Sequence, residues 1–426
     1  MKPSTLFRSA TIWDGTGADS YSGDVLVTGD RIAKVSKIGI TDRDALVVDA
    51  QGMTLMPGMV EGHAHLSFHG ATRNTDLGDI PPEEHVLVTM HTAKTLIDHG
   101  FTSAYSAAAA KLRLDVVIRN EINAGKIPGP RVKAASPEIT VTGGLGDETR
   151  QHQERSSFGI VVDGVDAVIK AVRTCIRENV DNIKINISGD DFVQPARGAM
   201  TVMNEAEVRA AVQTAHSFGR RVNAHARSTD SVKLAVRCGV DVIYHCDAAD
   251  EEGLDLLEAA KDRIFVGPAI GLIYSSLYEA TPWNFTHEDA CRLGLDGCLE
   301  RSKGVYAELR RRGVRVVVGG DYGFAWVPQG MNARDIEHFV TQFGYSPNEA
   351  LQCATRIGGE IMGMGDELGK VVTGYLADLL LVKGDPVANV KLLQDQANLT
   401  VIMQGGRLYK NEFAKSSAKH EAFAAQ

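Results

Sequence analysis

The middle of the chain, residues 58–366, alternates short apolar stretches with longer amphipathic ones. The amphipathic stretches have helical periodicity, as from Glu205 to Phe218 and from Thr229 to Cys238. Eight strand–helix units in about 300 residues predict a TIM barrel, with a doubly wound open sheet as the alternative. The predicted strands are 59–66, 100–106, 131–136, 180–187, 220–226, 240–246, 263–267 and 314–320.

Both ends of the chain have a different pattern, in which short β-rich runs are bounded by glycine and aspartate. We therefore expect one small β-sandwich built from residues 1–57 and 367–415, around a barrel of residues 58–366. The last residues, 416–426, are polar and alanine-rich, which predicts a frayed or docked terminal tail.

Composition narrows the class of protein. Apolar residues make up 44% and charged residues 23% of the chain, as in ordinary globular proteins. The net charge of −9 argues against a nucleic-acid partner, and no apolar run is long enough to span a membrane. The start of the sequence lacks a signal core, which predicts a cytoplasmic protein as written, or a periplasmic or secreted one if a signal peptide was removed. The six cysteines are scattered, which predicts reduced thiols.

Five candidate metal ligands stand at the ends of predicted strands. His63 and His65 are two residues apart and share one face of a strand. His225 and His245 each end an apolar strand, and Asp321 follows another. Taken singly, each histidine is also compatible with a core position, and Asp321 with a helix N-cap. In a barrel these strand ends meet at one mouth, where imidazole and carboxylate groups suit zinc-like ions.

Lys184 is the unusual candidate, because an ammonium group cannot bind a metal. It lies in Asn182–Ile187, where alternation turns Lys184 and Asn186 into the barrel and the isoleucines toward the helices. A buried, unpaired ammonium group is costly, so a buried lysine either loses its proton or has an interaction partner. Carboxylation by carbon dioxide would make it a carbamate that can bridge two metals. The alternatives are a surface lysine, or a buried lysine paired with Asp321 or a glutamate.

Together these residues resemble the amidohydrolase superfamily in its binuclear form with a carboxylated lysine. Two later stretches, 345–355 and 368–379, are also similar to elements of that family. Within it the chain is most similar to a prolidase-like group, which includes Xaa-Pro dipeptidases, enzymes that act on N-acyl amino acids, and amidases that open ochratoxin A. The segments 223–228 and 141–147 carry this similarity. Leu145 stands where similar enzymes commonly have histidine, which favours a more apolar substrate than a dipeptide.

The resemblance implies a ligand set and a mechanism. One divalent metal, zinc by expectation, would be held by His63, His65 and Asp321, and a second by His225 and His245, with carboxylated Lys184 between them. The expected reaction is attack of a metal-bridging hydroxide on a small-molecule amide, with Asp321 as general base and acid. Asp321, Lys184 and His245 are thus the expected catalytic residues.

The expected leaving group is an amino acid whose carboxylate needs a cation. We expect Arg227 to bind it through two hydrogen bonds, the alternative being a surface salt bridge. His69, Tyr244, Leu145, Tyr322 and Trp326 are further candidates for the pocket wall, or for packing.

Other functions remain open at this point. A cyclic amidase of the dihydropyrimidinase or imidazolonepropionase type, or a deaminase, uses a similar ligand set. Such deaminases usually hold one metal without a carboxylated lysine, so Lys184 favours two metals. Outside enzymes, a non-catalytic barrel scaffold is the alternative, although such proteins lose ligands. The resemblance also implies a homo-oligomer, from dimer to octamer, without a nucleic-acid or membrane partner.

Overall fold

The computed structural model describes residues 3–153 and 156–413. Its strands are β1 Ser4–Ile12, β2 Tyr21–Thr28, β3 Arg31–Ser36, β4 Leu46–Asp49, β5 Met53–Pro57, β6 Met59–Ala64, β7 Phe101–Ser106, β8 Arg131–Lys133, β9 Ala135–Thr140, β10 Ile160–Val161, β11 Asn182–Asn186, β12 Arg221–Ala226, β13 Val242–His245, β14 Phe265–Gly267, β15 Leu379–Lys383, β16 Leu399–Gln404 and β17 Arg407–Asn411.

The helices follow the strands in the middle of the chain. They are α1 Pro82–Asp98, α2 Leu114–Asn123, α3 Val165–Arg177, α4 Glu205–Ser217, α5 Thr229–Cys238, α6 Glu251–Ala259, α7 Ile270–Tyr278, α8 His287–Arg292, α9 Leu295–Arg311, α10 Arg334–Phe343, α11 Pro347–Ala354 and α12 Arg356–Ile361. Short 3-10 helices lie at Asn74–Gly78, Thr281–Trp283, Val390–Gln394 and Gln396–Asn398.

The central strands form a closed parallel barrel. β6, β7 and β8 pair in that order, and β9, β11, β12, β13 and β14 continue the sheet after a break at Ala134. The extended segment 314–320 closes the ring: Val317 N donates to Val266 O at 2.9 Å, and Gly62 N donates to Val318 O at 2.8 Å. The predicted TIM barrel is confirmed, with predicted strand 131–136 divided between β8 and β9.

The alternation in β11 fixes the two sides of the barrel wall. Ile183, Ile185 and Ile187 are fully buried in the core between strands and helices. On the inner side, Asn223 Nδ2 donates to Asn182 Oδ1 at 2.7 Å. The barrel interior is therefore polar at this level, directly below Lys184.

The strands of both termini form one eight-stranded sheet, in the order β17-β16-β15-β5-β1-β2-β3 with β4 beside β1. It has its own hydrophobic core, which includes Phe7, Leu55, Leu381 and Val401. β5 leads through Gly58 into β6, so the sheet and the barrel are joined at the first barrel strand. The division at residues 57/58 and 366/367 stays a prediction, and the predicted tail 416–426 lies outside the described residues.

Two smaller expectations concern the described part of the chain. Its six cysteines are free thiols, and five of them are buried. None of the helices between residues 3 and 413 has the length and apolar character needed to cross a bilayer.

Candidate metal centre

All six predicted ligands line a single cavity at the carboxyl end of the barrel strands. β6 ends next to His65, β12 carries His225 and β13 ends at His245, because parallel strands direct their carboxyl ends to one mouth. Lys184 lies on β11, and Asp321 directly follows the closing segment. The barrel topology therefore brings together residues up to 258 positions apart, from His63 to Asp321.

The first half of the site consists of His63, His65 and Asp321, whose ligand atoms all lie within 4.8 Å of one another. Asp321 Oδ1 is 3.0 Å from His65 Nε2 and 3.8 Å from His63 Nε2. His65 Nδ1 donates to Ala108 O at 3.0 Å, which leaves Nε2 as the lone-pair nitrogen. A carbonyl on the second ring nitrogen is the usual support of a metal-binding histidine.

The second half consists of Lys184, His225 and His245. The rings of His225 and His245 lie 4.2 Å apart, and the ring of His63 lies 5.6 Å from that of His245. His225 Nε2 donates to Gly189 O at 2.9 Å, so Nδ1 carries the lone pair. Lys184 Nζ lies over the ring of Tyr244, and among the described residues no carboxylate is within 4.0 Å of it.

The electrostatics of this cluster suit a cation. Burial lowers the pKa of His225 to about 3 and lowers the pKa of His63 and His245 well below the ordinary value, so all three rings are neutral. Burial also lowers the pKa of Lys184, against the opposing charge of Glu138.

Asp321 is the carboxylate of the cluster. Burial acts to raise its pKa, but His63, His65 and Lys184 hold the pKa far below the ordinary value. His63 Nδ1 and His245 Nδ1 are buried and have no hydrogen-bond partner among the described residues. Neutral imidazoles, a carboxylate and unpaired ring nitrogens together form a donor set that fits divalent metal ions.

Close backbone packing holds the first half. A Cβ atom at Gly319 would lie 2.5 Å from His63 Cβ, so the closing segment reaches β6 only because residue 319 is glycine. Asp321 and His245 have φ angles of 63° and 74°, a region that non-glycine residues rarely occupy. Glu61 Oε1 accepts from His63 N at 3.1 Å, and its other oxygen accepts from Asn332 Nδ2 at 2.9 Å.

The residues predicted to contact substrate divide into two groups. Leu145 and Trp326 line the cavity, whereas His69, Tyr244 and Tyr322 are not part of its wall. Tyr244 Oη donates to Gly62 O at 2.7 Å, Tyr322 Oη donates to Asp335 Oδ1 at 2.9 Å, and His69 Nε2 lies 3.2 Å from Asp76 O. These three side chains support the strand ends and loops instead.

The prediction for Arg227 needs correction. Its side chain is buried outside the cavity wall, where Nε donates to Asp190 Oδ2 at 2.7 Å and Nη1 donates to Asp247 Oδ1 at 3.0 Å. Two protein carboxylates thus take the place of the expected substrate carboxylate. The sequence could not show this, because both partners come from loops that follow other strands.

Sequence reasoning missed Glu138 and two arginines of the cavity wall, Arg73 and Arg150. Glu138 lies on β9 opposite Lys184, and its Oε2 accepts from Asn186 Nδ2 at 2.6 Å. Burial raises its pKa. The sequence does contain a signal for Glu138, because it lies two residues after Ser136 on a buried strand and therefore shares the inner face of that strand with Ser136.

The cavity has a volume of about 400 Å³, large enough for an amide of two sizeable groups. Besides the candidate ligands, its wall combines six aromatic side chains with polar and acidic residues such as Asp147 and Asp190. The aromatic side chains are Phe68, Phe158, Phe192, Phe285, Phe324 and Trp326.

Residues 54–409 match the amidohydrolase family. The chain belongs to this family. It is 24% identical over 376 residues to an ochratoxinase of Aspergillus niger, which covers 84% of this chain and 75% of that one. It is 21% identical over 424 residues to an imidazolonepropionase of Symbiobacterium thermophilum, which covers 95% and 92% of the two chains.

A solved prolidase in complex with N-methylphosphonate-L-proline has the same fold, with a TM-score of 0.87 and 24% identity, covering 96% of this chain and all of that one. Family membership and the donor set agree. The protein is a metal-dependent amidohydrolase, a hydrolase that acts on amide bonds.

Proposed function

We propose that this amidohydrolase cleaves the amide bond between a bulky apolar acyl group and a C-terminal amino acid. One observation carries the proposal: the ligand residues form the floor of a cavity whose wall combines aromatic rings with Arg150. The rings suit an aryl or large apolar group, and a guanidinium suits a carboxylate.

The ligand residues would hold two divalent ions, with zinc as the metal we expect. His63, His65 and Asp321 would take one ion, and His225 and His245 the other. Lys184 is buried, has no carboxylate within 4.0 Å in the described part of the chain, and has a lowered pKa. These are the conditions under which an uncharged amine adds carbon dioxide, forming a carbamate and releasing one proton. The carbamate of Lys184 would add oxygen donors to the residues that hold the ions.

When bound, the ions supply Lewis acidity at the substrate carbonyl and lower the pKa of water. The protein's own steps centre on Asp321, whose carboxylate would take the proton of the attacking water and pass it to the leaving nitrogen. The depressed pKa of Asp321 keeps it ionised for the first of these steps.

Arg150 is our candidate for binding the carboxylate of the leaving amino acid. It is exposed on the cavity wall, and no carboxylate of the described residues lies within 4.0 Å of its guanidinium. Arg73, the other arginine of the wall, is already paired with Asp76 at 2.9 Å. Arg150 thus replaces Arg227 in this role.

The relatives agree with the proposed substrate class. The ochratoxinase of A. niger acts, by its name, on ochratoxin, and the prolidase structure holds a proline derivative. A cyclic amidase is the second candidate, favoured by the match to an imidazolonepropionase along almost the whole chain. Small polar rings would leave most of the aromatic wall unused.

The test supplies the protein with zinc and bicarbonate and measures its hydrolysis of a panel of substrates. The panel contains ochratoxin A, N-aroyl and N-acetyl amino acids, Xaa-Pro dipeptides, and the cyclic amides dihydrouracil and imidazolonepropionate. We expect the highest kcat/KM for the aroyl amino acids, with about two zinc ions per chain. Preference for the cyclic amides would overturn the substrate class. Absence of bound metal would overturn the site, and absence of a carbamate ¹³C NMR signal from native protein loaded with ¹³C-bicarbonate would rule out the carbamate.

A second test concerns Arg150. Arg150→Gln should raise KM about tenfold for N-aroyl amino acids, because a charge-assisted hydrogen bond to an exposed group contributes roughly 1–2 kcal/mol. The matched control is the same substrate as its C-terminal amide, for which KM should stay unchanged. An equal rise for both substrates would assign Arg150 to packing of the loop.

Two finer expectations stay predictions: a homo-oligomer of two to eight chains and a cytoplasmic location. Size-exclusion chromatography with light scattering would measure the first.

A further inference from the structure

Arg227 connects three consecutive loops at the mouth of the barrel. It directly follows β12, and its guanidinium donates to Asp190 in the loop after β11 and to Asp247 in the loop after β13. Its backbone N donates to Ser188 Oγ at 2.9 Å. These are the loops that follow the strands of Lys184, His225 and His245.

Each contact lies next to a residue of the second half of the site. His225 precedes Arg227 by two positions, and its Nε2 donates to Gly189 O at 2.9 Å and lies 3.6 Å from Asp190 Oδ2. Asp247 follows His245 by two positions. The guanidinium therefore fixes the loop that orients His225 and the chain directly after His245.

The surroundings of Arg227 exclude a surface role. Arg227, Asp190 and Asp247 are 3%, 6% and 2% exposed. Cys298 Sγ also donates to Asp247 Oδ2 at 3.1 Å. A buried guanidinium between two carboxylates is costly to desolvate, so loss of one partner leaves an uncompensated charge.

We propose that Arg227 is a positioning residue that holds His225 and His245 in place for metal binding by bridging Asp190 and Asp247. Lysine cannot replace it, because a single ammonium lacks the planar fork that reaches both carboxylates. The inference rests on the proposed metal-binding role of His225 and His245.

The experiment compares zinc-loaded wild type with Arg227→Lys and Asp247→Asn. Asp247 is not part of the cavity wall, so its variant tests the bridge without changing the substrate surface. Arg119→Lys is the matched control: Arg119 is also buried and binds Asp181 at 2.6 Å, just before β11 at the opposite end of the barrel. Zinc release to a chelator, circular dichroism, and kcat and KM for an N-aroyl amino acid and its amide are measured.

We expect zinc release to be at least about tenfold faster in Arg227→Lys and Asp247→Asn than in wild type, as is typical when a group behind a ligand is lost. The activity of both variants should fall equally for the acid and amide substrates and recover with excess zinc. Arg119→Lys should lose stability while zinc release stays at the wild-type rate.

If Asp247→Asn released zinc at the wild-type rate, the inference would be overturned, even if Arg227→Lys failed to fold. A rise in KM confined to the carboxylate substrate would also overturn it and return Arg227 to the anchor role. A wild-type protein that binds no zinc would instead reject the proposed function, so the two failures are distinguishable.

Discussion

The two halves of the candidate site are held by different kinds of interaction. His63 and Asp321 are held by barrel closure, in which close packing at Gly319 and backbone hydrogen bonds join β6 to the closing segment. His225 and His245 depend on loops joined by buried charges around Arg227. The packing around His63 and Asp321 depends on residues of the barrel strands themselves. The charged bridge around Arg227 depends on side chains that are far apart in the sequence. The halves should therefore respond differently to substitution.

The largest expected effect is at Asp321, the proposed general base, which belongs to the first half. Asp321→Asn should lower kcat by about 10³-fold, within the usual range for loss of a general base. The fold should survive, because asparagine tolerates the positive φ of 63° at this position. Steady-state kinetics and circular dichroism measure both effects. Near-normal turnover of the Asp321→Asn variant would rule out the catalytic role of Asp321.

A smaller effect is expected from Gly319, which tests whether packing alone holds the first half. Gly319→Ala would place a methyl group 2.5 Å from His63 Cβ and should cost roughly 1–3 kcal/mol of unfolding free energy. Gly304→Ala is the control, because apart from the backbone of α9 itself no described atom lies within 4 Å of its Cβ position in the middle of that helix.

The control variant should be stabilised by up to about 1 kcal/mol through helix propensity. Urea denaturation gives both values. If Gly319→Ala were as stable as wild type and retained its zinc, close packing would not be what fixes His63.

The positions of the candidate ligands could be predicted better than those of their supports. The inward direction of His63 and Lys184 and the strand-end position of Asp321 follow from alternation and barrel topology, which are local patterns plus one fold rule. The partners of Arg227 could not be predicted, since Asp190 and Asp247 are polar loop residues whose proximity depends on how three loops pack.

The same limit applies to the pocket wall. Tyr244 and Tyr322 lie at strand ends, where residues of a pocket wall are expected. Their hydroxyl groups instead donate to acceptors outside the cavity, a backbone carbonyl for Tyr244 and a carboxylate for Tyr322. The aromatic wall comes largely from loops, where neither period 2 nor period 3.6 constrains the side-chain direction.

The smallest expected effect is on the pH dependence of stability, to which a histidine near the first half contributes. His85 is buried beside the first half; its Nε2 donates to Ser67 O at 2.6 Å, and Lys111 Nζ lies 3.3 Å from its Nδ1. Burial lowers the pKa of His85 below its ordinary value of 6.5. As the pH falls below about 6.5, His85 therefore becomes protonated in the unfolded chain but stays neutral in the folded protein. Proton binding then stabilises the unfolded chain, so the free energy of unfolding decreases as the pH falls below that value.

The loss is at most about 1.4 kcal/mol per pH unit for one proton. His85→Gln keeps the donor to Ser67 and should flatten the fall in Tm between about pH 6.5 and pH 5. His91→Gln, an exposed position on the same helix, should leave the pH profile unchanged. The pKa of Asp190 is held below its ordinary value by Arg227 against the effect of burial, so the bridge of the second half stays ionised over this range. Equal acid slopes in wild type and His85→Gln would mean that His85 does not contribute to the loss of stability in acid.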